Sequence, residues 1–291
     1  MGQVASANEE AIRAWDGPLF ERFVRFRHLL TTGLGVHGEE ALRLVPPWPG
    51  ERVLDVGCGF GDTTRRIADL VGPDGEALGV DAAPRFIEDA RRQAAEAGVE
   101  NVIFEVVDVE TASFDEGFDL AFSRMGTMFF ANPVAALRNV REALLPAGRL
   151  VMVVWRAKID NDWVYRAQTI TERFVEKPEE YDEPTCGPGP FSMANADTTS
   201  GILLSAGYEN VALRRCDIPI MIGTDLQEAV DLVMSLGPAG EILRLAGERA
   251  AHLHEPVADA LREGMADWQR SDGAVMAPAS TWIVTANAPA A

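Results

Sequence analysis

Val53-Leu54-Asp55-Val56-Gly57-Cys58-Gly59-Phe60-Gly61 is the stretch on which the fold turns. Apolar residues around Asp55 read as a short buried strand, and the glycines after it are spaced for a tight turn feeding a helix over 62–71. Glycine admits positive φ and leaves bare backbone for a ligand to lie against. Outward from here the pattern repeats. Strands over 52–56, 75–80, 102–107, 118–122 and 149–155 alternate with helices over 62–71, 84–97 and 133–145. Pro84 falls in the first turn of its helix, where a missing N–H is harmless. The alternation predicts βαβ units and a largely parallel, buried sheet, an α/β doubly wound architecture. Right-handed crossovers then gather the loops at the C-terminal strand ends on one edge, where ligands bind.

The flanks read differently. Residues 1–50 form an N-terminal helical cap: Leu19, Phe20, Phe23, Val24 and Phe26 stand at helical spacing. A second short helix over 39–45 is broken by Pro46-Pro47-Trp48-Pro49-Gly50. Residues 51–157 are the binding core. Residues 158–291 complete the sheet and carry a helical lid, over about 158–200 and 225–271. Within that remainder we expect a helix over 158–177 and a loop over 178–192 holding Pro178, Pro184, Pro188 and Pro190. A helix over 197–206, one strand over 211–222, two or three helices over 225–271 and a final strand over 280–286 follow.

Composition bounds the function. The 291 residues suffice for one large core, and 47% hydrophobic with 24% charged residues is ordinary for a globular chain. The net charge of -19, from 26 Lys and Arg against 45 Asp and Glu, argues against a polyanionic partner. No nucleic acid or anionic membrane is therefore expected. Cys58, Cys186 and Cys216 lie too far apart for a disulfide framework and form no C-x-x-C pair, so no metal is expected. No apolar run approaches the roughly 18 residues of a membrane span, and no signal peptide is evident. Met1-Gly2 followed by Ser6 has the form of a myristoylation signal, without a polybasic second anchor. The expectation is a cytoplasmic protein that binds a small molecule, with a homodimer left open.

A G-x-G-x-G turn alone serves dinucleotide binders and purely structural turns alike. Charge separates the ligands. A pyrophosphate wants helix N–H groups and no competing anion, yet Asp55 stands at the strand end and Asp62 at the helix start. S-adenosylmethionine carries an ammonium and a sulfonium and no phosphate, so acids suit it. Asp55 then serves the methionine moiety, directly or by ordering the turn and a water. Asp81, with Ala82 beside it, ends the next strand about where a ribose would lie; capping of the following helix is the competing reading. Asp108 is placed to accept from the adenine amino group while the Val109 N–H meets a ring nitrogen. An exposed loop aspartate is the alternative.

On these residues the chain resembles the class I methyltransferases of the ubiquinone/menaquinone-biosynthesis type and their small-molecule relatives. The resemblance runs through Ala14-Trp15-Asp16-Gly17-Pro18, Val53 to Thr64, Gly79-Val80-Asp81, Phe118 to Phe130 and Leu145-Pro146-Ala147-Gly148-Arg149-Leu150. It implies a seven-stranded sheet with an antiparallel last strand, and the donor across the C-terminal ends of the first strands. It also implies that Gly57 and Gly59, with Cys58 between them, approach the methionine part. Asp81 would take the ribose, Asp108 and Val109 the adenine, and the Ser123-Arg124-Met125 segment the donor's amino and methyl end. The family commonly has Gly where Ala147 stands.

Methyl transfer is an in-line displacement with a good leaving group, so alignment and exclusion of water dominate. An acceptor that must lose a proton needs a base. His28 and His37, both in the cap, are the candidates, against the plainer reading of surface or core histidines. His252 and His254 are two apart and point to different sides of a helix. Trp15, Phe20, Met125, Phe129, Phe130, Trp155 and Trp163 are the candidate substrate wall, although Phe20, Phe23 and Phe26 also suit the core side of a helix. A small-molecule methyltransferase leads. Macromolecule methylation and a non-catalytic donor-binding protein are the alternatives.

Overall fold

The chain enters the fold through a broken helical cap. In this computed structural model, which describes residues 9, 11–114, 117–175 and 188–290, wide π-type turns at Trp15–Leu19 and Leu29–Gly33 flank α1 (Phe20–Arg25). α2 (Gly35–Leu44) follows, starting earlier than the expected 39–45 helix and ending before Pro46. Phe20 and Phe26 are buried while Val24 is exposed, so α1 turns its aromatic side inward. The Met1-Gly2 and Ser6 pattern, Pro178, Pro184 and Cys186 lie outside the described residues.

β1 (Arg52–Val56) leads through the glycine turn into α3 (Asp62–Val71), and β2 (Glu76–Asp81) into α4 (Pro84–Ala97). β3 (Val102–Val106), β4 (Phe118–Arg124), α5 (Pro133–Ala143) and β5 (Leu144–Trp155) complete the first half. α6 (Asp162–Thr171), α7 (Ala196–Ser205), β6 (Glu209–Asp217) and β7 (Ile220–Gly223) come next. α8 (Leu226–Leu236), α9 (Pro238–Ala246), α10 (His254–Gly264), β8 (Val275–Ala277) and β9 (Ser280–Asn287) end the chain. Seven strands form one sheet in the order β3-β2-β1-β4-β5-β9-β6. β9 runs antiparallel to both of its neighbours, and β1 to β5 are parallel. This is the doubly wound, mostly parallel sheet that the motifs imply.

Alternation along each strand sends side chains to opposite faces. Val53, Leu120, Val151 and Val153 meet Ala41 of α2 and Ile67 and Val71 of α3. Leu54, Ala121, Leu150 and Met152 meet Leu137 and Val140 of α5 and Leu203 of α7. Both faces are covered, so the strands read as apolar runs. Asp55 pairs with Gly79 and Val56 with Val80, which brings the ends of β1 and β2 to one edge.

Three expectations change. The single strand over 211–222 is two: Pro219 lacks the N–H a ladder needs. β6 stays in the main sheet, and β7 turns away to pair with β8. Of the helix expected over 158–177, residues 158–175 hold a 3₁₀ turn at Lys158–Asp160 and then the shorter α6, and residues 176 and 177 lie outside the described residues. β5 begins at Leu144 instead of residue 149, with a register shift where Ala147 takes φ +60°. That left-handed conformation strains any residue with a Cβ. Ala147→Gly is therefore expected to stabilise the fold by roughly 0.5–1 kcal/mol, seen as a higher urea midpoint.

α8, α9 and α10 form the helical insertion between β7 and β8. α6 packs tightly on it: a Cβ on Gly264 would stand 2.4 Å from Ile170 Cδ1. The cap touches it as well. The Arg22 guanidinium donates to Ser235 O at 3.3 Å, Arg25 pairs with Asp231, and His28 Nε2 lies 3.1 Å from Glu228 Oε1.

Candidate active site

The three turn glycines do different things. All have positive φ, +69° at Gly57, +51° at Gly59 and +70° at Gly61. A Cβ on Gly57 would stand 2.9 Å from Gly126 Cα, so the turn after β1 touches the loop after β4 backbone to backbone. A Cβ on Gly61 would press to 2.6 Å from the Phe104 ring and 2.9 Å from Ala90 Cβ. Gly59 alone faces room, with Phe86 Cδ1 at 3.9 Å as its nearest neighbour. Beside it, Asp81 Oδ2 accepts from Gly59 N–H at 3.1 Å and Oδ1 from Ala83 N–H at 3.0 Å. Burial raises the Asp81 carboxyl against the pull of these amides.

The other acids are engaged elsewhere. Asp55 is buried and accepts from Thr64 Oγ1 at 2.6 Å. Asp62 pairs with Arg124 at 2.6 Å, and Arg124 also donates to Thr63 Oγ1 at 3.0 Å and to Leu30 O at 3.2 Å. Of the two acids expected to repel a phosphate, one is thus balanced by a cation and one lies in the interior. Ser123 Oγ donates to Val56 O at 2.8 Å. Ser123 and Arg124, expected toward the donor's amino end, use these donors within the scaffold. Cys58 is buried, and burial pushes its thiol well up.

Asp55 has a testable signature. Burial raises its carboxyl from 3.8 to about 7, the Thr64 hydrogen bond notwithstanding. A folded-state value above the unfolded one means that the native state holds the extra proton. Stability is then lost as pH rises from about 4 through about 7. Asp55→Asn keeps an acceptor for Thr64 and should gain on wild type across that window, by something on the order of 1–3 kcal/mol at pH 8. Urea melts at the two ends read it, and an equal difference at both would rule it out.

Asp108 and Val109 stand at the same edge, since Val107 N–H donates to Asp81 O at 3.0 Å. Asp108 Oδ1 accepts from Glu110 N–H at 3.0 Å and Val109 O from Asn139 Nδ2 at 2.8 Å, which holds the loop. Above the turn, Trp15 sets its ring edge-on to Phe129 at 4.9 Å, and Phe20 does so to Phe86 at 4.9 Å. Trp155 and Trp163 make a third pair at 5.9 Å. Met125 holds φ +63°, and both Met125 and Phe130 pack on the core while remaining partly exposed. The Thr127 Oγ1, Trp163 Nε1 and His37 Nε2 atoms are buried without hydrogen-bond partners, polar groups that a bound molecule or water is able to satisfy.

The two candidate bases stand in different surroundings. His37 is fully buried, its Nδ1 3.0 Å from Thr281 Oγ1, and burial lowers it to about 4. His28 is half exposed and faces Glu228. What sequence reading missed is the core half of the aromatic cover, Phe60 and Phe86. The two phenylalanines lie in or just after quoted motifs, so proximity to the turn was the available signal.

Residues 48–200 match the methyltransferase domain family. This is more than half of the chain, and the protein belongs to that family. Over 123 residues it is 37% identical to the aklanonic acid methyltransferase of a Streptomyces strain, covering 41% of this chain and 56% of the other. Over 107 residues it is 36% identical to a ubiquinone/menaquinone biosynthesis C-methyltransferase of Ectopseudomonas mendocina, covering 36% and 42%. The chain spans about half the length of the curated relatives it matches. Among solved structures, YcgJ of Bacillus subtilis shares the fold with a TM-score of 0.55 at 19% identity, over 88% of this chain and 98% of that one. The residues present fit S-adenosylmethionine: Gly59 offers bare backbone with room before it, and a carboxylate stands beside that opening.

Proposed function

We propose that the protein transfers the methyl group of S-adenosylmethionine to a small organic acceptor, at oxygen, carbon or nitrogen. The observation that carries this reading is the pairing of Asp81 with the open glycine Gly59. Asp81, with Ala82 beside it, would hold the ribose hydroxyls, Asp108 and the Val109 N–H the adenine, and the Gly57–Gly59 turn the methionine part. The donor supplies an activated methyl on a sulfonium with a neutral leaving group. Asp55 and Thr64 stiffen the turn from beneath, and Arg124 ties the end of β4 to the start of α3 and to the cap. Trp15, Phe20 and Phe129 keep water from the donor, which strengthens the charge interactions there. Met125, Phe130, Trp155 and Trp163 wall the acceptor, and the helical insertion serves as its lid. The reading extends to a cytoplasmic protein without a nucleic-acid or membrane partner, on the net charge of -19. No helix among the described residues is long and apolar enough to cross a membrane.

The test uses donor with a tritiated methyl group, incubated with the protein and a fractionated cell extract. Label entering organic-soluble small molecules supports the reading and supplies the acceptor. Label entering protein or RNA overturns it. Donor bound without transfer to any fraction would leave an acceptor absent from the extract or a non-catalytic donor binder, and would favour the latter.

A further inference from the structure

α4 begins without a cap of its own. Its boundary residue Ala83 has no side-chain acceptor, and Pro84 carries no N–H. The first amide available, Arg85 N–H, donates instead to Asp16 Oδ1 at 2.8 Å, from a segment far away in the chain. Arg85 returns the contact. Its Nη1 donates to Asp16 O at 3.3 Å, its Nη2 to Glu21 Oε1 at 2.7 Å, and its guanidinium lies 4.1 Å over the Phe20 ring. Asp16 thus does for α4 what an N-cap side chain does for an ordinary helix, but across the gap between cap and core.

The place of this contact matters. Residues 81–85 carry Asp81 at one end, bonded to Gly59 and Ala83, and the Asp16 anchor at the other. On the other side of Asp16, Trp15 rests on Phe129 at 4.9 Å, beyond the end of β4. The Trp15–Leu19 turn therefore bridges the loops after β2 and β4, and Trp15 also stands 6.5 Å, centroid to centroid, from Phe86, the neighbour that the open side of Gly59 faces. Gly17 interrupts that turn with φ -116° and ψ -112°, and a Cβ there would meet nothing within 4 Å. The segment bends at Gly17 without being crowded into place.

We propose that Asp16 is a positioning residue, the latch that holds the cap closed over the ribose end of the donor; this rests on the donor reading above. With the Asp16–Arg85 bond made, the first turn of α4 is ordered and Trp15 is held against Phe129. With it broken, that turn frays and the segment swings at Gly17. The donor enters and leaves through the broken state.

Two variants separate a latch from a general loss of structure. Asp16→Asn keeps an oxygen that accepts from Arg85 N–H, and Asp16→Ala does not. In ligand-free protein, amide hydrogen exchange over residues 84–90 is expected to quicken about tenfold in Asp16→Ala and to stay near wild type in Asp16→Asn. Dissociation of tritiated S-adenosylmethionine, followed by dilution and rapid filtration, is expected to quicken by roughly tenfold in Asp16→Ala only. Unchanged exchange in Asp16→Ala, or Asp16→Asn as fast as Asp16→Ala, overturns the latch. A loosened α4 with an unaltered donor off-rate overturns its role as a gate. A wild-type protein that binds no donor sinks the reading on which the gate rests, while the exchange result still decides the latch.

Discussion

Asp81→Ala is expected to weaken S-adenosylmethionine binding by roughly 10- to 150-fold in titration calorimetry, the loss of a charged hydrogen-bond acceptor worth about 1.5–3 kcal/mol. The effect has two sources. The variant removes the carboxylate assigned to the ribose, and it strips Gly59 N–H and Ala83 N–H of their acceptor. The second loss loosens the turn before any ligand arrives, so the ligand-free protein should also melt earlier, by about 1–3 kcal/mol in stability. Asp81→Asn tells the two apart. It keeps an acceptor for one amide and should recover much of the stability while leaving most of the affinity loss. Unchanged donor affinity in Asp81→Ala would remove the ribose assignment altogether.

The second large effect is a crossed pair. Gly57→Ala must place a Cβ 2.9 Å from Gly126 Cα at φ +69°, so both strain and displacement of backbone follow. The two together are expected to cost about 2–5 kcal/mol of stability. Gly59→Ala meets only Phe86 Cδ1 at 3.9 Å and bears the φ strain alone, about 1–2 kcal/mol. Its Cβ, however, fills the room where the donor would lie. Gly57→Ala should therefore be the worse folder and Gly59→Ala the worse binder per folded molecule. Denaturation curves and donor titrations on both variants give the comparison. Equal losses in both columns would mean that the turn acts as a single structural unit, without a dedicated ligand glycine.

Much of this was legible because it is local. The β1–turn–α3 unit, the alternation of strands and helices and the placement of Asp81 follow from apolar runs and glycine spacing along the chain. The sites that escaped depend on partners far off in sequence. Nothing around Asp62 announces that Arg124 will neutralise it, or that the same arginine will reach Leu30 in the cap. His37 reads as a helical histidine until Thr281, from the final strand, is found beside its Nδ1. Asp16 sits in a motif with its partner amide in another element. One miss was avoidable. Pro219 stands in the middle of the run over 211–222, and its missing N–H already argues for the break between β6 and β7.

The two-stranded ribbon of β7 and β8 has a consequence for how such a chain can change over time. Gly223 and Val275, at the neck of the helical insertion, are paired neighbours. Joining them by a short turn, or by a foreign segment of different length, alters the closure entropy only slowly with length. The sheet and the glycine turn lie outside that neck. What limits such an exchange is the shared core: Val230, Val233 and Leu261 of the insertion pack in one cluster with Leu54 and Met152 of the sheet, so a replacement joined at Gly223 and Val275 must present an apolar face of its own.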